Sequence, residues 1–158
     1  MKKILIYDMD DLDPFYNETQ KAYVFPENVG EIVFEDTKEF CMLNASIFAP
    51  NADIAINYDF QICGNIKCKY LKVEGKLICC GTIKTSYLST LVGIKAKKIF
   101  TNKAVVGEVV AEKIVADYLS THKIVYVDDI KIRQLRVGLN LWDGKPCNDV
   151  RKVVSLSW

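Results

Sequence analysis

Aspartates, cysteines and one histidine are the residues of this 158-residue chain whose types could do chemistry. Asp8, Asp10, Asp11 and Asp13 crowd six positions, which raises calcium first. A helix–loop–helix calcium loop started at Asp8 needs an oxygen donor at its fifth position and glycine at its sixth. Leu12 and Asp13 stand there, so the order fails. The six cysteines are Cys41, Cys63, Cys68, Cys79, Cys80 and Cys147, and no two are spaced as CxxC. That spacing argues for reduced packing residues rather than zinc ligands or a disulfide framework. His122 is the single histidine and the one side chain suited to proton transfer near neutral pH. It lies between Thr121 and Lys123, where an exposed corner residue is expected.

Three enzyme resemblances attach to these residues. Ile4-Leu-Ile-Tyr-Asp8-Met-Asp10 resembles the first motif of haloacid-dehalogenase-type phosphatases. The resemblance implies a nucleophilic Asp8 and a general-acid Asp10 beside magnesium. Leu12 stands where that family has Thr or Val, and the family needs a parallel sheet flanked by helices. Tyr126-Val-Asp128-Asp129 resembles the reverse-transcriptase palm motif, which requires a further carboxylate strand and a longer chain. Left-handed β-helix acyltransferases use a histidine base, but their hexapeptide puts the small residue two places before the large aliphatic one. Here it follows by two.

The elements that would carry these residues are set by a beat of five. Ile94, Ile99, Ala104, Val109, Ile114, Leu119 and Ile124 share one phase. Two places after each stands a second residue, mostly small or β-branched: Ala96, Thr101, Val106, Ala111, Ala116, Thr121 and Tyr126. A period of five fits neither a helix nor a straight strand, so the chain must turn a corner at each step. Upstream the steps are five or six, through Ile54, Phe60, Ile66, Leu71, Leu77, Ile83 and Leu88. Gly64-Asn-Ile-Lys-Cys-Lys-Tyr-Leu and Gly81-Thr-Ile-Lys-Thr-Ser-Tyr-Leu repeat 17 residues apart.

Three steps per coil give an all-β chain, a right-handed parallel β-helix (a β-solenoid of three strands per 15–17-residue coil) with caps at both ends. Neighbouring coils would stack at about 4.8 Å. Residues 1–158 form one expected domain: 1–50 a cap and irregular first coil, 51–137 the solenoid, 138–158 a capping hairpin around Asp143-Gly144. Leu71-Lys-Val73-Glu-Gly75-Lys-Leu77-Ile-Cys79-Cys-Gly81-Thr-Ile83-Lys-Thr85 resembles the bactofilin, or polymer-forming, repeat, over about residues 60–126. The resemblance implies a right-handed triangular β-helix, no cofactor and end-to-end assembly into filaments.

Composition narrows the class. Half the residues are hydrophobic and 26% are charged, which excludes general disorder. A net charge of +1 argues against coating nucleic acid, although residues 1–40 carry ten acids and four bases. No stretch approaches the length of a membrane span or a signal-peptide core, so a cytoplasmic protein without cofactor or metal is expected.

Function is then sought in the outward residue between each inward pair. Early in the chain these are basic: Lys67, Lys72, Lys84 and Lys95. Later they are apolar: Phe100, Val105, Val110, Val115 and Val125. An outward apolar ladder marks a surface that is covered, either by residues 133–158 or by another protein. The expected function is a non-enzymatic scaffold or interaction module that binds a protein partner through a lateral face, as a homodimer. An inhibitory or host-interaction protein of a mobile element fits that description. A filament former is the alternative.

Overall fold

A computed structural model describes residues 1–35 and 41–138 of the chain. The expected capping hairpin, with Trp142, Cys147 and Trp158, lies outside the described residues apart from Gly138. Strand dominates. The described helices are α1 (Met9–Leu12) and a single 3-10 turn, Asp13–Phe15. The strands are β1 (Lys2–Ile6), β2 (Tyr16–Asn17), β3 (Ala22–Val24), β4 (Val29–Phe34), β5 (Met42–Leu43), β6 (Ser46–Ile56), β7 (Phe60–Ile62), β8 (Ile66–Val73) and β9 (Lys76–Val137).

These strands form one parallel, strongly curled sheet in the order β1-β4-β6-β8-β9-β7-β5. The pairing of β2 with β3 is antiparallel, a local hairpin laid against β6. Ile4 pairs with Ile32, Ile32 with Ile54, Ile54 with Leu71 and Leu71 with Leu88. Successive returns of the chain therefore take 28, 22, 17 and 17 residues. The sheet thus begins at Lys2, well before the regular beat is established.

β9 shows why a five-residue step bends the chain. Its 62 residues would stretch about 200 Å as a straight strand. Instead Val92 N–H reaches back to the Gly75 carbonyl, and Gly138 N–H to that of Thr121. Between inward pairs stand two consecutive outward residues, such as Lys97-Lys98, Asn102-Lys103 and Glu112-Lys113. Straight pleating would point one of each pair inward, so the backbone turns there.

The inward phase is occupied as the spacing predicts. Every leader from Ile54 to Ile124 is buried, and so is every two-place partner from Ile56 to Thr121. Together they form one continuous core that also takes in Ile4, Ile6, Leu12 and Phe34. Register confirms the stacking at Ile66–Ile83, at Ile54–Leu71–Leu88 and at Phe60–Leu77. Tyr126 departs from the expectation: it is 54% exposed. Its phenol would need a hydrogen-bond partner in an aliphatic interior, and it hydrogen-bonds the Asp128 carboxylate outside instead. The step after Ile124 lengthens to six, and Ile130 with Ile132 resumes the inward pair.

The corners have a side-chain device that spacing does not announce. Thr85, Thr101 and Thr121 are buried, and each hydroxyl lies within hydrogen-bond distance of the carbonyl two residues ahead, at Tyr87, Lys103 and Lys123. Cys68, one return before Thr85, donates to Tyr70 in the same way. Each threonine hydroxyl has a single proton to give, and at Thr85 and Thr121 a carbonyl of the preceding return, Lys69 at 2.8 Å and Gly107 at 2.9 Å, is the nearer acceptor.

Candidate partner-binding face

The outward middle positions form columns because the inward ones do. In the first column Phe48 pairs with Lys67, and Lys67 with Lys84. The next return brings Phe100, whose ring lies 5.8 Å below the Lys84 ammonium. Val115 follows, lining with Lys84, Phe100, Asn102 and Asp117 a shallow cleft of 310 Å³. A second cleft of 400 Å³ joins Phe48, Lys67, Lys84 and Phe100. One strip of surface thus reads aromatic, lysine, lysine, aromatic, valine. Phe48 belongs to it and escapes the sequence reading, because it falls in the stretch that precedes the regular beat.

The other expected face residues divide between two further columns. Ala55 pairs with Lys72 and Lys72 with Ser89, and Val105 holds the same middle phase later. Gln61 pairs with Ile78, and Lys95, Val110 and Val125 continue that phase. Phe100, Val105, Val110 and Val115 are half-buried, while Val125 is 45% exposed. Lys67, Lys72, Lys84 and Lys95 are all exposed. The structure therefore brings Lys67, Lys84, Phe100 and Val115 together. It places Lys72 with Val105, and Lys95 with Val110 and Val125, on separate strips.

Lysines over rings are a recurrent feature. Lys69 lies 5.1 Å from the Tyr70 ring and Lys103 5.4 Å from Tyr118. Tyr70 and Tyr87, opposite each other in register, meet edge to face at 6.0 Å. The ammonium groups shield aromatic surface and discourage edge-to-edge pairing. Lys72 pairs with Glu74 at 3.8 Å, whereas Lys67 and Lys84 have no carboxylate partner among the described residues. Their charge is left for a neighbour.

The groups with catalytic spacing are occupied structurally. Asp8 caps α1: its Oδ1 accepts from the Asp10 and Asp11 N–H groups at 2.9 and 3.3 Å. Asp11 returns the bond, its Oδ2 accepting from the Tyr7 and Asp8 N–H groups. This is a capping box built from two aspartates. In the Tyr126-Val-Asp128-Asp129 run, Asp128 takes the tyrosine hydroxyl and Asp129 pairs with Lys113 at 3.3 Å. That hydrogen bond, then the Asp128 charge, push the Tyr126 pKa up. His122 is half-buried rather than exposed as expected, because it sits at a corner where Gly138 N–H crosses to its carbonyl. No group of three or more potential metal ligands occurs among the described residues.

The cysteines also divide. Cys68 and Cys79 are core residues, and burial pushes their thiols up to about 12 and about 11. Cys41, Cys63 and Cys80 are exposed, while Cys68 and Cys79 take the inward positions that their phase predicts. The exposed three occupy outward or corner positions of the same pleat.

No helix of the described residues is long and apolar enough to cross a membrane. No protein-family model matches the chain, and neither a curated protein nor a solved structure matches it.

Proposed function

We propose that this chain is a right-handed parallel β-helix that works as a protein-binding scaffold, and that it pairs with a second copy through the Phe48–Lys67–Lys84–Phe100–Val115 column. The observation that carries the reading is the make-up of that column. Two exposed lysines without a carboxylate partner among the described residues stand between Phe48 on one side and Phe100 with Val115 on the other, along one strip with two shallow clefts. Purely solubilising strips carry charge throughout, and purely internal ones carry none. A two-fold axis between Lys84 and Phe100 would set Lys84 of each copy over the Phe100 ring of the other and Lys67 against Val115, an isologous contact with a cation–π pair on each side. The scaffold has no catalytic role in this reading, and Asp8, Asp10, His122 and Asp129 serve the fold.

A bactofilin-like filament is the second reading. It is favoured by one observation: among the described residues β1 pairs only with β4, so none of them covers its other edge. Light scattering with negative-stain imaging separates the two. A discrete dimer supports lateral pairing, and long filaments support the edge-to-edge alternative.

A further inference from the structure

Cys63 and Cys80, both exposed, touch: their sulfurs are 3.6 Å apart and the Cys80 thiol donates to Cys63. Register accounts for the contact. Ile62 stands opposite Cys79 on neighbouring parallel strands, so the next residue of each, Cys63 and Cys80, lies across the same gap. That gap is about 4.8 Å, inside the roughly 4.4–6.8 Å between Cα atoms that a disulfide spans.

The surrounding backbone is pinned. Asn65 Oδ1 accepts from Thr82 N–H at 2.8 Å, tying the two strands just beyond the cysteines. A Cβ at Gly81 would lie 2.6 Å from the Gly64 carbonyl oxygen, so the strands approach closely there. Neither thiol contributes to the core, and Gln61 Nε2 also donates to Cys63 Sγ, at 3.8 Å. The bond that Cys80 donates to Cys63 is the main reason the Cys80 thiol is held above its ordinary range. Cys80 thus retains its proton while Cys63 sulfur is the acceptor of two donors.

We infer that Cys63 and Cys80 are an oxidisable thiol pair, whose disulfide staples neighbouring strands and closes one 17-residue return of the chain into a covalent ring. The shared chemistry is removal of two electrons and two protons by peroxide or by a small disulfide. With hydrogen peroxide, Cys63 sulfur attacks one oxygen, the O–O bond breaks and hydroxide leaves with the thiol proton as water. Cys80 sulfur then attacks the resulting sulfenic acid, forming the S–S bond and releasing a second water. With glutathione disulfide, Cys63 sulfur displaces one glutathione, and Cys80 displaces the second from the mixed disulfide. The sulfurs start 3.6 Å apart at two exposed positions.

The test treats the reduced full chain with peroxide in one arm and glutathione disulfide in the other. Intact mass and peptide mapping follow. The expected product has lost two hydrogens and contains a Cys63–Cys80 cross-linked peptide. Its Tm is raised by roughly 5–10 °C over the reduced chain. Bond formation in one arm only identifies the oxidant class, and in both it supports the pair. C63S and C80S, at exposed sites, should keep the parent's circular dichroism and reduced Tm but lose both the bond and the rise. C41S should keep them. Stable adducts on separate cysteines, a bond to any other cysteine, or no bond in either arm would overturn the inference.

Discussion

The Lys84 ammonium lies 5.8 Å from the centre of the Phe100 ring, one return of the chain away. Along this column lysine gives way to apolar residues at that contact, so it marks where a partner would meet both kinds of surface. An exposed cation over a ring contributes about 0.5–1 kcal/mol, too little to require burying Phe100 for the fold. Replacing Lys84 with Ala should therefore leave thermal stability within a few degrees of the parent. It should weaken self-association measurably by sedimentation.

The inward threonines give a paired prediction. Thr121 is fully buried, and its hydroxyl donates to the Gly107 carbonyl at 2.9 Å. Thr90 is buried too, yet its hydroxyl has no hydrogen-bond partner among the described residues. Valine has nearly the same shape in both places. Thr121→Val should cost about 1 kcal/mol, and Thr90→Val should stabilise by a similar amount. Urea unfolding of the two variants is the check, and equal signs would refute the corner role of Thr121.

Gly107 marks a close approach between neighbouring returns of the chain. A Cβ there would lie 2.1 Å from the Val92 carbonyl oxygen, which is backbone and cannot swing aside. At Gly93 the nearest atom, the Glu108 carbonyl oxygen, is 3.1 Å away. Gly107→Ala should cost about 3 kcal/mol and Gly93→Ala clearly less, read as the difference in urea midpoints.

Buried thiols set the alkaline limit. Burial disfavours the thiolates of folded Cys68 and Cys79 and pushes them up to about 12 and about 11, above the ordinary thiol range. The unfolded chain therefore releases these protons first as pH rises. Their contribution is complete below pH 9 and is lost between pH 9 and 11–12, with a slope of at most about 1.4 kcal/mol per pH unit for each thiol. Cys68→Ala should flatten that loss by up to one proton's worth in unfolding measured from pH 8.5 to 11. An unchanged slope would place Cys68 in contact with solvent.

Asp8 tests the structural use of the N-terminal carboxylates. Asp8→Ala removes the cap from α1 and should cost about 1 kcal/mol, whereas Asp8→Asn keeps an acceptor and should cost less. Magnesium-dependent phosphate release by the parent, lost in Asp8→Asn, would contradict the capping account.

The inward face was legible in the residues because a pair two apart, repeated every five or six, points to a sheet that bends at each step; an antiparallel sandwich also gives such pairs, but with more hairpin turns than this sequence offers. Leu71, Leu88, Ile99 and Ile114 are all buried on that logic. Tyr126 was misplaced because periodicity carries no information about a phenol's hydrogen bond. A strand at Ile4 and an irregular first return through Ile32 were legible, but their register was not, because the 28-residue return is filled by α1 and the β2–β3 hairpin, which erase the beat. The corner bonds of Cys68, Thr85, Thr101 and Thr121 needed coordinates, since a buried threonine reads only as a small β-branched residue. Phe48 was missed because it precedes the regular beat. The Cys63–Cys80 contact was implicit in the 17-residue repeat, but only register shows that both sulfurs stand on the same gap.

Pairing of two copies through the Phe48–Lys67–Lys84–Phe100–Val115 column is the central claim, and light scattering on size-separated protein measures it most directly. The parent chain should have the mass of a dimer. The Phe100→Lys, Val115→Lys double variant should have that of a monomer, with circular dichroism and Tm close to the parent's. A parent that runs as a monomer at high concentration, or a double variant that stays dimeric, would contradict it.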